Sequence, residues 1–291
     1  MRSITFDCLV SVRFLGDNRS VRFARSFLER TGISMVEYDG NVTLAPLLVA
    51  GSDPRLPASF PDENYVVRLW DFQVDRPGSG LQACAAGGVS CVLGFEGQRP
   101  LWLPLEIPEQ WCGLLGASLA LASFLQQERS AAGAQVLDIS AVDILRSFAD
   151  QNFANHKAFP ESWSRNGRVT PNHGGIFPQG FFECADGHVA IVGRSKADWQ
   201  LILNALDKPA WATGLLLDPV YLAKNSQEVE GLFHAELAKF TRDQLLQLAI
   251  ETGATFAPVY TPREMESRNL VPVDLFDQDG YASIPFEFLP F

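Results

Sequence analysis

The chain has 291 residues, and its 47% hydrophobic and 20% charged composition is typical of a folded globular protein with one or two cores. Its formal net charge of −11 argues against a nucleic-acid-binding surface, which requires clustered Lys and Arg to neutralise phosphates. The longest apolar run covers residues 113–125, short of the roughly 20 residues that a membrane-spanning helix needs. We therefore expect neither a nucleic-acid partner nor a membrane span.

The N-terminal segment and the cysteines indicate a cytoplasmic protein. Residues 1–16 carry Asp7 and Arg13 within their apolar part and have no small-residue cleavage site, so we predict a first β-strand there and no signal peptide. The five cysteines are odd in number and form no C-x-x-C pair, which argues against a disulfide framework. Reduced, mostly buried thiols fit a cytoplasmic location.

Predicted strands and helices alternate along the first half of the chain. Asn18 or Ser20 caps a first helix that ends near Thr31, and Gly32 stops it. The strand–helix–strand order at the start favours a parallel, right-handed crossover unit. The further predicted strands are residues 33–38, 41–51, 65–72, 89–93 and 136–139, and the further predicted helices are residues 81–86, 113–125 and 141–149.

The second half changes character at residues 150–175, where Asn, Pro and Gly indicate a long connecting loop and a domain boundary. Two apolar runs around Asp186-Gly187 predict a β-hairpin. Helices are predicted at residues 196–206, 226–239 and 241–251, and Thr261 is predicted to cap another. We divide the chain into a large domain at 1–160, a linker at 161–175, a small α/β domain at 176–266 and an extended tail at 267–291.

Glu109 stands at the start of the long apolar run. The leucines of this run, among them Leu114, Leu115 and Leu119, leave no polar face and predict a fully buried helix. Polar groups then concentrate at the helix ends, and a carboxylate near the N-terminus is stabilised as the anion by the helix dipole. From spacing alone, a simple helix cap is the plainer interpretation of Glu109, with carboxylate catalysis as the alternative.

Other patterns point to no particular chemistry by themselves. The glycines at 78, 80, 87 and 88 form neither G-x-G-x-x-G nor G-K-[ST], so they do not define a phosphate loop. No G-x-S-x-G elbow is present, and the four histidines share no metal-ligand spacing, so no metal site is predicted. His173 next to Gly174-Gly175 is interpreted as a solvated loop residue, with a mobile active-site lid as the alternative.

Several motifs, taken together, resemble those of the family III coenzyme A transferases and the related alpha-methylacyl-CoA racemases, the CaiB/BaiF-like superfamily. The family's D-x-x-x-G before a small apolar helix corresponds to Glu109 and Gly113. The motif that follows the helix, T-G-[KR]-G-Q-V-x-D, is similar to A-A-G-A-Q-V-L-D at residues 131–138. Residues 182–193 resemble the hairpin of the family's small domain, and P-V-Y-T-P-R-E at 258–264 resembles its P-V-x-T-P-x-E segment.

The resemblance implies an α/β fold, with a doubly wound parallel sheet in the large domain, a smaller α/β domain and a homodimer. In the transferases the Asp carboxylate attacks an acyl-CoA thioester, so the resemblance implies that role for Glu109. It also implies that no cofactor is tightly bound, that a CoA thioester is a substrate, and that a carboxylic acid is its partner. The residues expected to contact substrate are Ser79, Gln82, Trp111, His173, Gly174 and Gly175.

Three departures from the family pattern qualify this expectation. Glu109 replaces Asp, and a carboxylate displaced by about 1 Å can cost roughly a hundredfold in rate. Ser79 stands where the racemases carry a His, which argues against two-base racemisation. The segment between Tyr38 and Gly78 is shorter than in the family and lacks its R-x-G-R-G-K-like and E-N-F-R-P-G-like elements, which implies a changed thioester carrier or a changed reaction.

Three hypotheses follow for function. The first is a divergent CoA-transferase-like enzyme with Glu109 as nucleophile or general base. The second keeps the fold and uses Glu109 as an acid/base in a biosynthetic lyase, isomerase or cyclase. The third is a catalytically silent structural subunit.

Overall fold

The structure is a computed structural model that describes residues 11–39, 45–55, 65–104, 106–127, 135–148, 165, 167–169 and 175–270. These residues form two compact units. The first is drawn from Met1–Ser90 and Trp102–Ala149, and the second from Cys91–Leu101 and Asp150–Val271. Residues 91–101 belong to the second unit, whereas the predicted large domain at 1–160 included them.

A five-stranded parallel sheet forms the centre of the first unit. Its spatial order is β2-β1-β3-β4-β5, with every neighbouring pair parallel. The predicted α/β class and parallel sheet are confirmed. The strands are β1 at Ser11–Leu15, β2 at Ser34–Glu37, β3 at Leu47–Ala50, β4 at Tyr65–Trp70 and β5 at Gln135–Ser140.

Four helices of the first unit accompany this sheet. They are α1 at Arg19–Arg30, α2 at Gly80–Ala86, α3 at Ile107–Gln127 and α4 at residues 141–148. Local signals set their ends: the Asn18 side chain accepts a hydrogen bond from the Val21 N–H and caps α1, as one of the two predicted caps. Gly32, with φ +81°, follows the end of α1 as predicted.

The predicted strand at 89–93 is wrong, because Val89–Cys91 is a 3₁₀ turn. Gly88 lies just before it with φ +80°, in the left-handed region that ends a helix and turns the chain. A strand also needs hydrogen bonds to a neighbouring strand. In the sheet formed by the described residues, β2 and β5 are the edge strands, and residues 89–93 are not part of it.

Helix α3 is not buried on every side as the leucines had predicted. Leu114 and Leu115 are 44% and 43% exposed. The residues that face the core are small instead: Cys112, Gly113, Gly116, Ala117 and Ala120 are buried. Small residues face inward because α1 and β4 approach α3 closely, and leucines at those positions would not fit.

The second unit contains a three-stranded antiparallel sheet with helices. The predicted hairpin is confirmed, with β6 at Gln179–Cys184 paired to β7 at Gly187–Val192, and β8 at Phe256–Pro258 pairs with β7. Four helices of this unit match predicted ones: α5 at Lys196–Ala205, α7 at Ser226–Leu237, α8 at Arg242–Thr252 and α9 at Pro262–Ser267. The sequence did not predict helix α6 at Pro219–Lys224 or the 3₁₀ turn at Gly214–Leu217.

Two polar clusters connect the elements of the second unit. Arg168 donates from Nη1 to Nε2 of His234, 2.8 Å away, so the imidazole is neutral and accepts at that atom. Burial lowers the pKa of His234, and the charge of Arg168 lowers it further. In the other cluster, Arg242 pairs with Glu264 at 2.7 Å and with Asp186 at 3.5 Å, which ties the hairpin turn to α8 and α9.

Within the residues that the structure describes, no helix is both long enough and apolar enough to cross a membrane. The predicted loop at 150–175 falls almost wholly outside the described residues, as does the extended tail.

Candidate active site

The N-terminus of α1 is attached to the carboxyl end of β4. Asp71, the residue after β4, accepts hydrogen bonds from the backbone N–H groups of Arg19 and Ser20, each at 2.9 Å. The Ser20 hydroxyl donates to the same carboxylate at 2.6 Å. Asn18 donates from its side-chain amide to the Leu69 carbonyl at 2.8 Å. These contacts fix where the first turn of α1 lies relative to the sheet.

A close helix crossing then brings the first turn of α3 next to the first turn of α1. A Cβ atom added at Gly113 would lie 2.5 Å from the Ser20 carbonyl oxygen and 3.0 Å from the Ala24 nitrogen, so only glycine permits this approach. One turn earlier on α3 stands Glu109, and the first residue of α1 is Arg19. The crossing therefore places these two side chains together.

The Glu109 carboxylate is almost wholly withdrawn from solvent, with the residue 1% exposed. Its Oε1 accepts a hydrogen bond from the backbone N–H of Gly80 at 2.6 Å. Gly80 is the first residue of α2, and Glu109 is the third residue of α3, whereas the sequence had predicted that this helix begins only at residue 113. The carboxylate thus lies at two helix N-termini, where the positive ends of the helix dipoles stabilise an anion.

The second oxygen, Oε2, is buried and has no hydrogen-bond donor within the part of the chain that the structure describes. An unsatisfied buried acceptor costs about 1–3 kcal/mol, and more when it carries charge, so such atoms in native proteins call for an explanation. The Oε2 atom lies against Gly80, since a Cβ added there would be 2.1 Å from it. One oxygen of Glu109 therefore accepts a hydrogen bond, and the other has no hydrogen-bond donor among the described residues.

One arginine balances the charge of two carboxylates at this place. Arg19 lies with Nη1 3.5 Å from Oε1 of Glu109 and with Nε 2.9 Å from Oε1 of Glu106. The Arg19 and Glu106 side chains are 43% and 41% exposed, so the two ion pairs lead from the buried carboxylate to the protein surface. Glu106 has a φ of +57°, a left-handed conformation that is uncommon for a residue with a side chain.

Two buried thiols lie near Glu109, and both are held as thiols. Burial raises the pKa of Cys112 to about 12. Burial also raises the pKa of Cys84, with a smaller contribution from the negative charge of Glu109. Since the thiolate is the nucleophilic form of cysteine, a raised pKa leaves both side chains protonated near neutral pH.

The structure places the predicted site residues unequally. Ser79 caps α2 directly before Gly80, and Gln82 completes a capping box by accepting from the Ser79 N–H at 2.9 Å. Trp111 is 37% exposed on α3, with its ring centroid 5.0 Å from that of Phe148 on α4. Gly175 is buried in the second unit with φ +97°, and His173 and Gly174 lie outside the described residues. The substrate-contact roles of all six stay predictions.

Sequence reasoning missed Arg19, Gly80 and Glu106. Gly80 was noted only as part of a glycine-rich stretch that lacks a phosphate-loop pattern. No local signal identifies Arg19, because its pairing with Glu109 arises from the α1–α3 crossing. Across the described ranges, no group of three or more His, Cys, Asp or Glu residues has the geometry to hold a metal ion.

Fold and site together define a class. The residues around Glu109 come from loops and helices that follow the carboxyl ends of β1 and β4, the edge at which parallel α/β sheets bind their ligands. A carboxylate withdrawn from water at that edge suits carboxylate-based group transfer. A model of CoA-transferase family III matches residues 72–275, which is more than half of the chain. The chain therefore belongs to CoA-transferase family III, and the predicted resemblance is confirmed.

Two curated relatives match part of the chain. They are the succinyl-CoA:mesaconate CoA-transferases of Haloarcula hispanica and Haloarcula marismortui, each 28% identical over 134 residues. The match covers 46% of this chain and 33% of each relative, so the chain spans about a third of the length of the curated relatives it matches.

Solved structures share the fold over nearly the whole chain. A CaiB/BaiF family protein from Brucella suis is similar with a TM-score of 0.75 and 14% identity, covering 96% of this chain and 92% of that one. A hypothetical protein from Mycobacterium tuberculosis has a TM-score of 0.70 and 17% identity, covering 98% and 94%. At these identities the likeness establishes the fold alone.

Proposed function

We propose that this chain transfers coenzyme A between an acyl thioester and a free carboxylic acid, with Glu109 as the covalent carboxylate. The observation that carries the proposal is the state of the Glu109 side chain: 1% exposed, with Oε1 bound to the Gly80 N–H and Oε2 without a donor among the described residues. Membership of CoA-transferase family III supports it.

The two oxygens have different roles in this mechanism. Oε2 attacks the thioester carbonyl carbon, the C–S bond breaks, and CoA departs as its thiolate. The product on the enzyme is a mixed anhydride between Glu109 and the acyl group. The thiolate then attacks Cδ of Glu109, which releases the first acid as its carboxylate and leaves a Glu109–CoA thioester. The acceptor carboxylate reverses these two steps, so that a new acyl-CoA departs and the Glu109 carboxylate is regenerated. No electron acceptor or additional proton is needed.

Gly80 has a defined role in the steps at Cδ. When a nucleophile attacks Cδ, negative charge develops on Oε1, the oxygen that already accepts from the Gly80 N–H at 2.6 Å. A backbone donor aimed at an atom where charge develops lowers the barrier, and removing such a donor typically costs about 10²–10³ in rate. We therefore assign the Gly80 N–H as the oxyanion donor of the reaction.

Glu109 is too buried to meet a thioester without movement. At 1% exposure its Oε2 is out of reach of an acyl donor, so the groups that cover it move before the first step, while Oε1 keeps its hydrogen bond with the Gly80 N–H. A carboxylate kept from water until the donor is bound is less strongly hydrated than one in solution. The buried position thus represents the resting state of the nucleophile.

The proposal is tested by CoA exchange. Purified chain is incubated with a panel of acyl-CoAs, each with a different free acid, and new acyl-CoA is quantified by chromatography. Glu109→Gln is expected to abolish exchange. Glu29→Gln, an exposed carboxylate on α1, is the matched control and is expected to retain it. Exchange by Glu109→Gln at the wild-type rate would overturn the proposal.

The same assay separates the remaining hypotheses. Turnover of an acyl-CoA without transfer to an acid, lost in Glu109→Gln, would indicate acid/base chemistry in a lyase, isomerase or cyclase. No turnover with any substrate would favour a structural subunit. The homodimer and the cytoplasmic location stay predictions.

A further inference from the structure

The position of Arg19 raises the question of what it pairs with during the reaction. It is the residue whose guanidinium reaches the buried carboxylate, at 3.5 Å from Nη1 to Oε1 of Glu109, while 43% of its side chain is exposed. Its Nε is held by Glu106 at 2.9 Å, and its backbone N–H is held by Asp71 at 2.9 Å. Arg19 is therefore anchored on one side and open to solvent on another.

The charge around Arg19 changes during the proposed reaction. In the resting state one guanidinium faces two carboxylates, Glu106 and Glu109. In the anhydride and in the CoA thioester, Glu109 carries no charge. Arg19 then loses one of its two anionic partners while it still lies beside the atom that must react next.

The group that arrives at that moment is itself a carboxylate. The acceptor acid has to bring one oxygen within bonding distance of Cδ of Glu109, and Arg19 lies 3.5 Å from an oxygen on that carbon. A guanidinium binds carboxylates through two parallel N–H donors, which gives both affinity and orientation. A cation that has just lost its anionic partner suits an incoming anion.

We propose that Arg19 binds the carboxylate of the free acid, exchanging its contact with Glu109 for one with the acid when Glu109 is acylated. This inference rests on the proposed function. By microscopic reversibility, the same contact holds the acid that is released in the first half of the reaction. Arg19 thus determines how the enzyme binds acids, whereas the uncharged thioester group of the acyl-CoA gains nothing from it.

Glu106 acts in this scheme as a positioning residue. Its backbone has a φ of +57°, a conformation that costs free energy in a non-glycine residue and persists only where its surroundings enforce it. Its carboxylate holds Nε of Arg19, which leaves Nη1 directed toward Glu109. Glu106→Gln is expected to weaken acid binding less than loss of Arg19 itself.

The test separates the two substrates kinetically. Arg19→Gln is expected to raise the KM of the free acid by about 10- to 100-fold, the range for losing a hydrogen-bonded charged partner, while the KM of the acyl-CoA changes by less than about threefold. Arg22→Gln is the matched control, since Arg22 is on the same helix, 57% exposed and paired with Asp17 at 3.9 Å. Its two KM values are expected to match those of the wild type.

Chemical rescue provides a second readout that a purely structural role would not produce. Guanidinium chloride at millimolar concentration is expected to lower the acid KM of Arg19→Ala, with sodium chloride as the ionic-strength control. Should Arg19→Gln unfold, Arg19→Lys keeps the charge but loses the parallel N–H donors of the guanidinium, and its acid KM is still expected to rise more than its acyl-CoA KM. Equal increases in both KM values, or an acid KM equal to that of Arg22→Gln, would overturn the proposal. Absence of exchange by the wild type would instead refute the proposed function.

Discussion

The contact between Gly80 and Glu109 yields the sharpest prediction, through Gly80→Ala. A Cβ at position 80 would lie 2.1 Å from Oε2 and 2.6 Å from Cδ of Glu109, whereas ordinary contacts of a Cβ atom begin near 3.4 Å. The backbone of Gly80 does not have a positive φ, so alanine suits its conformation. The clash is therefore relieved by the carboxylate, which must move by roughly 1 Å.

The expected loss of activity follows from that displacement. A reacting group misplaced by about 1 Å can cost roughly a hundredfold in rate, so kcat/KM for CoA exchange is expected to fall by about two orders of magnitude. Overpacking costs about 1–3 kcal/mol in stability, and the higher helix propensity of alanine offsets about 0.5–1 kcal/mol of it. Activity should therefore fall much more than stability.

Gly231→Ala is the matched control for this variant. Gly231 lies within α7, and a Cβ added there meets nothing within 4 Å. Its free energy of unfolding, measured by urea denaturation, is expected to rise by about 0.5–1 kcal/mol, and its exchange activity is expected to equal that of the wild type. The reasoning is refuted if Gly80→Ala and Gly231→Ala show the same kcat/KM.

The remaining predictions concern Glu109, His234 and Glu264. Glu109→Gln should lower kcat by at least about 10³-fold. Its melting temperature should be no lower than that of the wild type, because the substitution removes a buried charge. Glu109→Asp should keep about 1% of the wild-type rate. The pKa of His234 is lowered, so below pH 6.5 the unfolded chain binds a proton that the folded chain does not. The free energy of unfolding, measured by urea denaturation, should therefore decrease as the pH is lowered from 6.5, and it should decrease less in His234→Gln. The pKa of Glu264 is lowered to about 2, chiefly by its hydrogen bond with Arg242, so thermal stability should decline from pH 4.5 toward pH 2 and decline less in Arg242→Gln.

Equal pH profiles for the wild type and its His234 or Arg242 variant would contradict the corresponding assignment. Full activity in Glu109→Gln would contradict the role of the carboxylate.

Features set by neighbouring residues were predictable from the sequence. The Asn18 cap, the hairpin at Asp186-Gly187 and the Thr261 cap of α9 all depend on contacts within a few positions, and all three are present. Hydrophobic alternation likewise located the strands of the parallel sheet.

Features set by tertiary contacts were not predictable in the same way. Helix α3 turns its small residues inward because α1 approaches at Gly113, and hydropathy alone assigned the leucines to the core. Family motifs identified Glu109, but its hydrogen bond to Gly80 joins residues 29 positions apart. Its ion pair with Arg19 likewise requires the α1–α3 crossing.

Covalent trapping tests the central claim most directly. The chain is incubated with an acyl-CoA that supports exchange, treated with borohydride to reduce any glutamyl thioester to an alcohol, digested and mapped by mass spectrometry. We predict that the peptide containing Glu109 carries the reduced side chain at that residue, and that Glu109→Gln yields none. An unmodified Glu109 in an enzyme that is exchanging CoA would contradict carboxylate catalysis by this residue.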